Sequence, residues 1–342
     1  MPVPDRPARR ITISGSGDIL IHPSLSARAA AEGDADGPSF VQELAGVSRR
    51  IHDADYAICH VEQTFNDPNS PGTEYPNYYT HPNMAKAIAA TGFDACSTAS
   101  NWTFLKGLDG IGRTNAALRR AGVLPAGSVA KRNEADQIDI EEVKGVKVAH
   151  LSFTDPADSP AVQGAPWAVN RATPDEIVAA AQAARDAGAE VVVVSLAMGQ
   201  MGPTTTNATQ RATVRTIAKS GTTDLIIGHG SHTIQGAQKI GNTWVVWHGN
   251  LLTSFFPDQV RMHEGLVSEA TLTEQSDGRF AVSKIRGDVV LSLPQSGRLQ
   301  DISAADCSSV PAHWQQAYAA TRATLTPAIQ QGFVLDKPCS GR

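Results

Sequence analysis

Short apolar runs that stop at glycine or at a polar residue recur along this chain, and between them apolar residues fall at helical spacing. Ile11 to Ser14 runs into Gly15, Gly17 and Asp18, which reads as a first strand with a carboxylate at its C-terminal tip. Val41, Leu44, Val47 and Ile51 share one helical face, with Ser39 placed to cap it. Tyr56 to His60 is a second strand and Glu62 lies just past it. Met84 to Thr91 reads as a short helix, Asp94 to Thr98 as a third strand running into Ser100, Asn101 and Trp102, and Leu108 to Ala121 as a helix stopped by Gly122. Ile138 to Val143 and Val146 to Ser152 flank Lys144-Gly145 as a hairpin. Pro174 to Ala187 and Ala208 to Ser220 are helices on either side of Glu190 to Leu196, a strand buried on both faces. Leu225 to Ile227 ends at Gly228 and His229, and Trp244 to Trp247 ends at His248, Gly249 and Asn250. Val267 to Thr273 and Phe280 to Val290 form an antiparallel pair around Ser276-Asp277-Gly278, and Trp314 to Leu325 is a last helix.

Strand–helix order broken by hairpins predicts an α/β fold with mixed sheets. Asp18, Glu62, Asn101, His229 and His232 all collect at strand C-terminal ends, where open α/β sheets hold their ligands. The expected division is a loose tail at 1–10, one domain over 11–292, and a helical extension at 293–342 packed on it.

Composition narrows the function. With 342 residues, 41% hydrophobic and 18% charged, the chain can bury a sizeable core. A net charge of −5 argues against nucleic acid as a partner. The polar start MPVPDRPARR resembles neither a signal peptide nor a membrane anchor, so a cytoplasmic protein away from the membrane is expected. The four cysteines lack CxxC spacing. Cys59 and Cys96 read as buried thiols, and pairing of Cys307 with Cys339 is left open.

An aspartate, a second carboxylate, an asparagine and histidines on successive strand ends suit a two-metal hydrolase. The blocks GSGDILIH (Gly15 to His22), ADYAICHVEQTF (Ala54 to Phe65), GFDACSTASNW (Gly92 to Trp102), GLDGIGRTNAALRRAGV (Gly107 to Val123), VVVSLAMG (Val192 to Gly199), GHGSH (Gly228 to His232) and Gly249-Asn250 carry a resemblance. Over Ile11 to Phe256 the chain resembles the calcineurin-like metallophosphoesterases, and more closely their branch named for the capsule poly-γ-glutamate synthesis protein CapA. The resemblance implies a four-layer αββα sandwich, two mixed sheets flanked by helices. It implies metal ligands drawn from Asp18, Glu62, Asn101, His229 and His232.

Three departures matter. The family has Asn-His where this chain has Asn101-Trp102, and a histidine where it has Ala197. It has an apolar residue where this chain has His248. Neither Trp nor Ala offers a ligand atom, so a metal pair is not expected. Asp18, Glu62, Asn101, His229, His232 and His248 would instead serve proton transfer, with no cofactor. A CapA-like chain with a broken metal site resembles the peptide epimerases of lasso-peptide pathways, which act at the Cα of a C-terminal tryptophan. That resemblance implies a precursor peptide as substrate and a leader-recognition protein as partner. Trp102, Tyr78, Tyr79, His22 and His60 are the candidate substrate contacts. The alternatives are a hydrolase holding one divalent metal ion and a non-catalytic binder of peptide or polymer. Each residue also has a structural reading: His248, for one, as a core histidine.

Overall fold

The computed structural model describes residues 7–69, 80–254, 259–305 and 310–340. Strands β1 (Arg10–Ile19), β2 (Tyr56–Val61), β3 (Ala95–Ser97) and β4 (Leu124–Ala126) lie side by side in a first sheet. Strands β5 (Ile140–Val143), β6 (Val146–Thr154), β7 (Val191–Ala197), β8 (Leu225–His229), β9 (Ile234–Ile240) and β10 (Thr243–His248) make the second, in the order β5-β6-β7-β8-β10-β9. The chain then returns to the first sheet with β11 (Asn250–Leu252), β12 (Glu264–Glu274), β13 (Phe280–Leu293), β14 (Arg298–Asp301) and β15 (Phe333–Leu335). Its main order is β14-β13-β12-β1-β2-β3-β4. Both sheets are mixed: β1, β2, β3 and β4 run parallel while β12 is antiparallel to β1, and β6, β7 and β8 run parallel while β5 and β9 are antiparallel.

Helices α1 (Pro23–Ala31), α2 (Val41–Leu44), α3 (Ser48–His52), α4 (Met84–Thr91) and α5 (Gly107–Arg120) supply residues to the core on the outer face of the first sheet. On the outer face of the second sheet α6 (Pro174–Asp186) and α7 (Ala208–Ser220) do the same. A third core fills the space between the sheets. The layers are therefore helix, sheet, sheet, helix, as the resemblance implied. Helices α8 (Ala312–Thr324) and α9 (Thr326–Gln330) close the C-terminal part, which also adds β14 and β15 to the first sheet.

Local chemistry sets the elements. Thr173 and Glu176 form a reciprocal capping box at the start of α6, and Asn207 and Gln210 do so for α7. The Lys144-Gly145 turn has φ of 48° and 76°, the left-handed pair that a two-residue hairpin needs. The helix expected over 39–51 is divided. Ser39 makes no cap; α2 starts after Phe40 and gives way to a 3₁₀ turn, Ala45–Val47, before α3. The cause is Gly46, where a Cβ would overlap the carbonyl oxygen of Leu299 in β14. The strand demands close backbone approach, and the helix bends to give it.

Cys59 and Cys96 are not thiols. They are partners in the β2/β3 register with Cα atoms 4.4 Å apart, and they form a disulfide. Such bridges persist mainly in oxidising compartments, which weighs against reduced thiols here. Cys307, Tyr78 and Tyr79 lie outside the described residues. Among the described residues no helix is long and apolar enough to cross a membrane.

Candidate active site

The site gathers where β1, β2 and β8 end. Strand β1 shifts register with β2 between Gly15 and Asp18. A Cβ on Gly17 would overlap the carbonyl oxygen of Gly249, so only glycine lets β1 pass this turn. Asp18 N–H then donates to Gly249 O at 3.0 Å, which fixes the carboxylate.

Asp18 is fully buried and accepts three hydrogen bonds. His229 Nδ1 donates to Oδ1 at 3.1 Å, and Gly230 N–H to Oδ2 at 3.2 Å. His232 Nδ1 stands 3.3 Å from Oδ2. Burial works against its charge, but the bonds from His229 and His232 overcome this and hold the carboxyl well below the usual range. Because an ionised carboxylate only accepts, His229 must donate from Nδ1. In the neutral ring its Nε2 then carries a lone pair. That atom is buried and has no hydrogen-bond partner.

His232 sits at φ 60°, an uncommon value for a residue with a side chain. Asn250 Nδ2 donates to the carbonyls of Met262 at 2.8 Å and of His232 at 3.3 Å, so its Oδ1 faces His232 Nδ1 at 2.9 Å as an acceptor. His232 Nε2 points at Glu62 Oε1, 3.6 Å away. Burial opposes the charged ring, yet the Glu62 charge and the Asp18 hydrogen bond raise its pKa to about 9. His232 is thus an imidazolium at neutral pH. Glu62, buried with neither oxygen hydrogen-bonded, is pushed up to about 7, by burial first; His232 pulls it back and Asp18 adds to the rise.

His60 is the next member. Its ring stacks on that of His229 with centroids 4.2 Å apart, and its Nδ1 is 2.6 Å from Ser97 Oγ. Ser97 Oγ donates to Cys59 O at 3.3 Å, so His60 donates to Ser97 and keeps its Nε2 lone pair, which has no partner. Burial, with the neighbouring His229, drives its pKa well below 6.5. His248 bonds Ser268 Oγ at 2.7 Å and faces His229 at 6.3 Å. His22 Nδ1 is 3.3 Å from Thr253 Oγ1. Burial, then His229 for one and His232 for the other, lowers both to about 3, so both are neutral. Asn101 lies to one side: it accepts from Ser100 Oγ and lines a small cleft with Asp158, Ala197, Met198, Gly199 and Gly230. Trp102, half-buried, opens the 3₁₀ turn Thr103–Lys106.

The structure therefore brings Asp18, Glu62, His229, His232 and His60 together and sets His248 and His22 against them. His150 belongs to the same interior. It bonds Ser195 at 2.9 Å, and burial followed by the proximity of His229 lowers it to about 3. The signal was available in strand parity. Ile58/His60, Val148/His150, Ile227/His229 and Val246/His248 are each two residues apart on a strand, so each histidine faces the same way as its apolar partner.

A model of the family described as bacterial capsule synthesis protein PGA_cap matches residues 12–254. The chain belongs to that family. Among solved structures it is similar to the calcineurin-like phosphoesterase YfkN from Bacillus subtilis, with a TM-score of 0.52 and 15% identity over 92% of this chain and 98% of that one. It is also similar to a 5'-nucleotidase precursor from Thermus thermophilus, with a TM-score of 0.50 and 13% identity over 94% of this chain and 59% of that one. At this identity the likeness shows the fold, that of the calcineurin-like phosphoesterases. No curated protein matches the sequence.

The family's metal pair can now be tested against the donors present. Ala197 stands opposite His229 in the β7/β8 ladder and offers no ligand atom. His232 Nδ1 is already held between Asp18 and Asn250. Ala197 therefore leaves the set one donor short of the family's pair. Two triads sharing Asp18, one with His60 and His229 and one with Glu62 and His232, each bring three donor atoms within 4.8 Å of one another.

Proposed function

We propose that this chain is a peptide epimerase that exchanges the Cα proton of a substrate residue by acid/base chemistry without a metal ion. The observation that carries this reading is a pair of buried proton-transfer groups tied to one aspartate. His229 Nε2 has no hydrogen-bond partner, and Glu62, pushed up to about 7, has no hydrogen bond to either oxygen and only the His232 ring 3.6 Å away. Inversion at Cα needs one group to take a proton from one face and another to return a proton to the opposite face. His229, held in the correct tautomer by Asp18, takes the Cα proton on Nε2. The electron pair left on carbon delocalises onto the adjacent carbonyl oxygen. The carboxylic acid form of Glu62 returns a proton to the other face, and the reverse direction exchanges the two roles. The His232 imidazolium supplies positive charge for the developing oxyanion. The resemblance to lasso-peptide epimerases supports a C-terminal tryptophan of a ribosomal precursor as the substrate residue, with a leader-recognition protein as partner.

The test is Cα deuterium uptake in D₂O by a peptide ending in tryptophan, in the presence of chelator. Uptake is expected; uptake that appears only after metal is added back would remove the reading.

A second reading, a hydrolase holding one divalent ion, draws on the two Asp18-centred triads. It predicts stoichiometric metal in the purified protein and metal-dependent turnover of a phosphodiester.

A further inference from the structure

Two cations close to the site take no part in the chemistry above. Lys106 ends the 3₁₀ turn Thr103–Lys106, and Arg113 lies two turns further on, in α5. Lys106 Nζ donates to the carbonyl of Thr64 at 3.0 Å, and Arg113 Nε to that of Phe65 at 3.1 Å. Thr114 Oγ1 accepts the N–H of Phe65 at 2.7 Å. The segment that leaves Glu62 is thus clamped onto the first two turns of α5. Both cationic groups are bound to backbone two or three residues after that carboxylate. Trp102 opens the turn that Lys106 ends, and it follows Asn101 of the small cleft.

Neither cation is neutralised. Among the described residues no carboxylate lies within ion-pair distance of Lys106 or Arg113. Asp109, between them in the chain, is exposed and pairs with neither. Other arginines drawn in from the surface do have carboxylates: Arg9 with Glu190 and Glu274, Arg50 with Asp288, Arg185 with Asp224, Arg286 with Asp336. Burial first, and then the positive charge of Arg113, lower Lys106 to about 8. Two half-buried like charges repel, and backbone carbonyls, which carry no net charge, offset this only in part. Arg113 makes its hydrogen bond through Nε, which leaves its two terminal nitrogens uncommitted among the described residues. A guanidinium fork of that kind takes a carboxylate through two parallel bonds.

We infer that Lys106 and Arg113 form a carboxylate-binding site at the edge of the active centre and hold the C-terminal carboxylate of the peptide substrate. The inference rests on the proposed function for which carboxylate is held, but not for whether the pair binds an anion. In a residue at the chain end the group next to Cα is the carboxylate itself. It is already negative and a poor acceptor of the electron pair that the departing Cα proton leaves. Cations on its oxygens offset that charge, so the pair would serve the proton exchange as well as the grip on the substrate.

The experiment is a binding titration of the full chain with one peptide ending in tryptophan, made with a free C-terminus and with a C-terminal amide, and with inorganic phosphate as competitor. The free acid is expected to bind at least about tenfold more tightly than the amide, the worth of a charge-assisted bond. Lys106→Met and Arg113→Met should each reduce that preference, and Lys106→Arg should keep it. Both Met variants also remove a bond to the Thr64–Phe65 backbone, so the acid-to-amide ratio is the readout: a displaced Glu62 segment would weaken both peptides alike. Equal affinity for acid and amide, no binding of the acid, or a preference that survives both Met variants would overturn the site. Competition by phosphate without an acid–amide preference would make it a phosphate site and also overturn the inference. A preference that depends on Lys106 and Arg113 in a protein showing no Cα exchange would leave the carboxylate site standing and remove the epimerase instead. Exchange at equal rates on acid and amide would do the reverse.

Discussion

Ile58, Val148, Ile227 and Val246 face the space between the two sheets, and two residues further along the same four strands stand His60, His150, His229 and His248. The first set is packed among aliphatic side chains and needs nothing but close contact. The second set is equally buried, yet each imidazole has one polar partner: Ser97, Ser195, Asp18 and Ser268 in turn. Burying a polar ring without a hydrogen bond is costly, so each of these serines carries a structural task. Two residues along a strand thus separate a stabilising layer from a chemical one. The raised imidazole pKa of the neighbourhood belongs to His232, which sits in the turn after β8 rather than on a strand.

Substitution across this boundary should have opposite consequences on its two sides. The largest effect is expected at Asp18. Asp18→Ala removes the acceptor that orients His229, and Cα exchange should fall at least about 10²-fold. His229→Ala should do the same. Unchanged exchange in both, measured by deuterium uptake, would take the layer out of the chemistry.

Acid should distinguish the layers next. His22, His150 and His248 have folded pKa values near 3 against an ordinary 6.5. The unfolded chain therefore binds more protons than the folded one below pH 6.5, and stability falls as pH drops through that value. Each group contributes up to about 1.4 kcal/mol per pH unit. Raised groups such as Glu62 work in the opposite sense over this range, so the histidine contribution is read by difference: in urea unfolding at pH 7.5 and pH 5.5, His150→Leu should lose about 1 kcal/mol less than the parent. On the alkaline side the sign reverses for His232, whose raised pKa gives stability that is full below pH 6.5 and is lost as pH rises through about 9. An acid-side slope in His150→Leu identical to the parent's would contradict the buried neutral state of that ring.

The smallest effect belongs to the apolar side. Ile227→Val, two residues before His229, should cost roughly 1 kcal/mol in unfolding free energy and leave exchange unaltered. If it instead abolished exchange, the boundary between the layers would not exist in function.

Most of the sheet order was legible because strand and helix periods differ and the glycines that end strands stand out. Asp18, Glu62, His229 and His232 could be read from their places after apolar runs. What could not be read depended on partners distant in sequence. Gly46 looked like an ordinary helical position until Leu299 came against it. Cys59 and Cys96 became a bridge only through the β2/β3 register. His60 drew attention merely as a substrate contact, since its stacking on His229 joins opposite sheets. His150 was passed over although its spacing from Val148 repeats that of the other three histidines.

The central claim is that Asp18, Glu62 and His229 move protons rather than hold a metal pair. It is tested most directly by dialysing the purified protein against chelator, confirming metal content by mass spectrometry, and following Cα deuterium uptake by a peptide ending in tryptophan. The account predicts uptake at the same rate before and after chelation, and its loss in Asp18→Ala. Uptake that vanishes with the metal and returns on adding one equivalent of a divalent ion would contradict it.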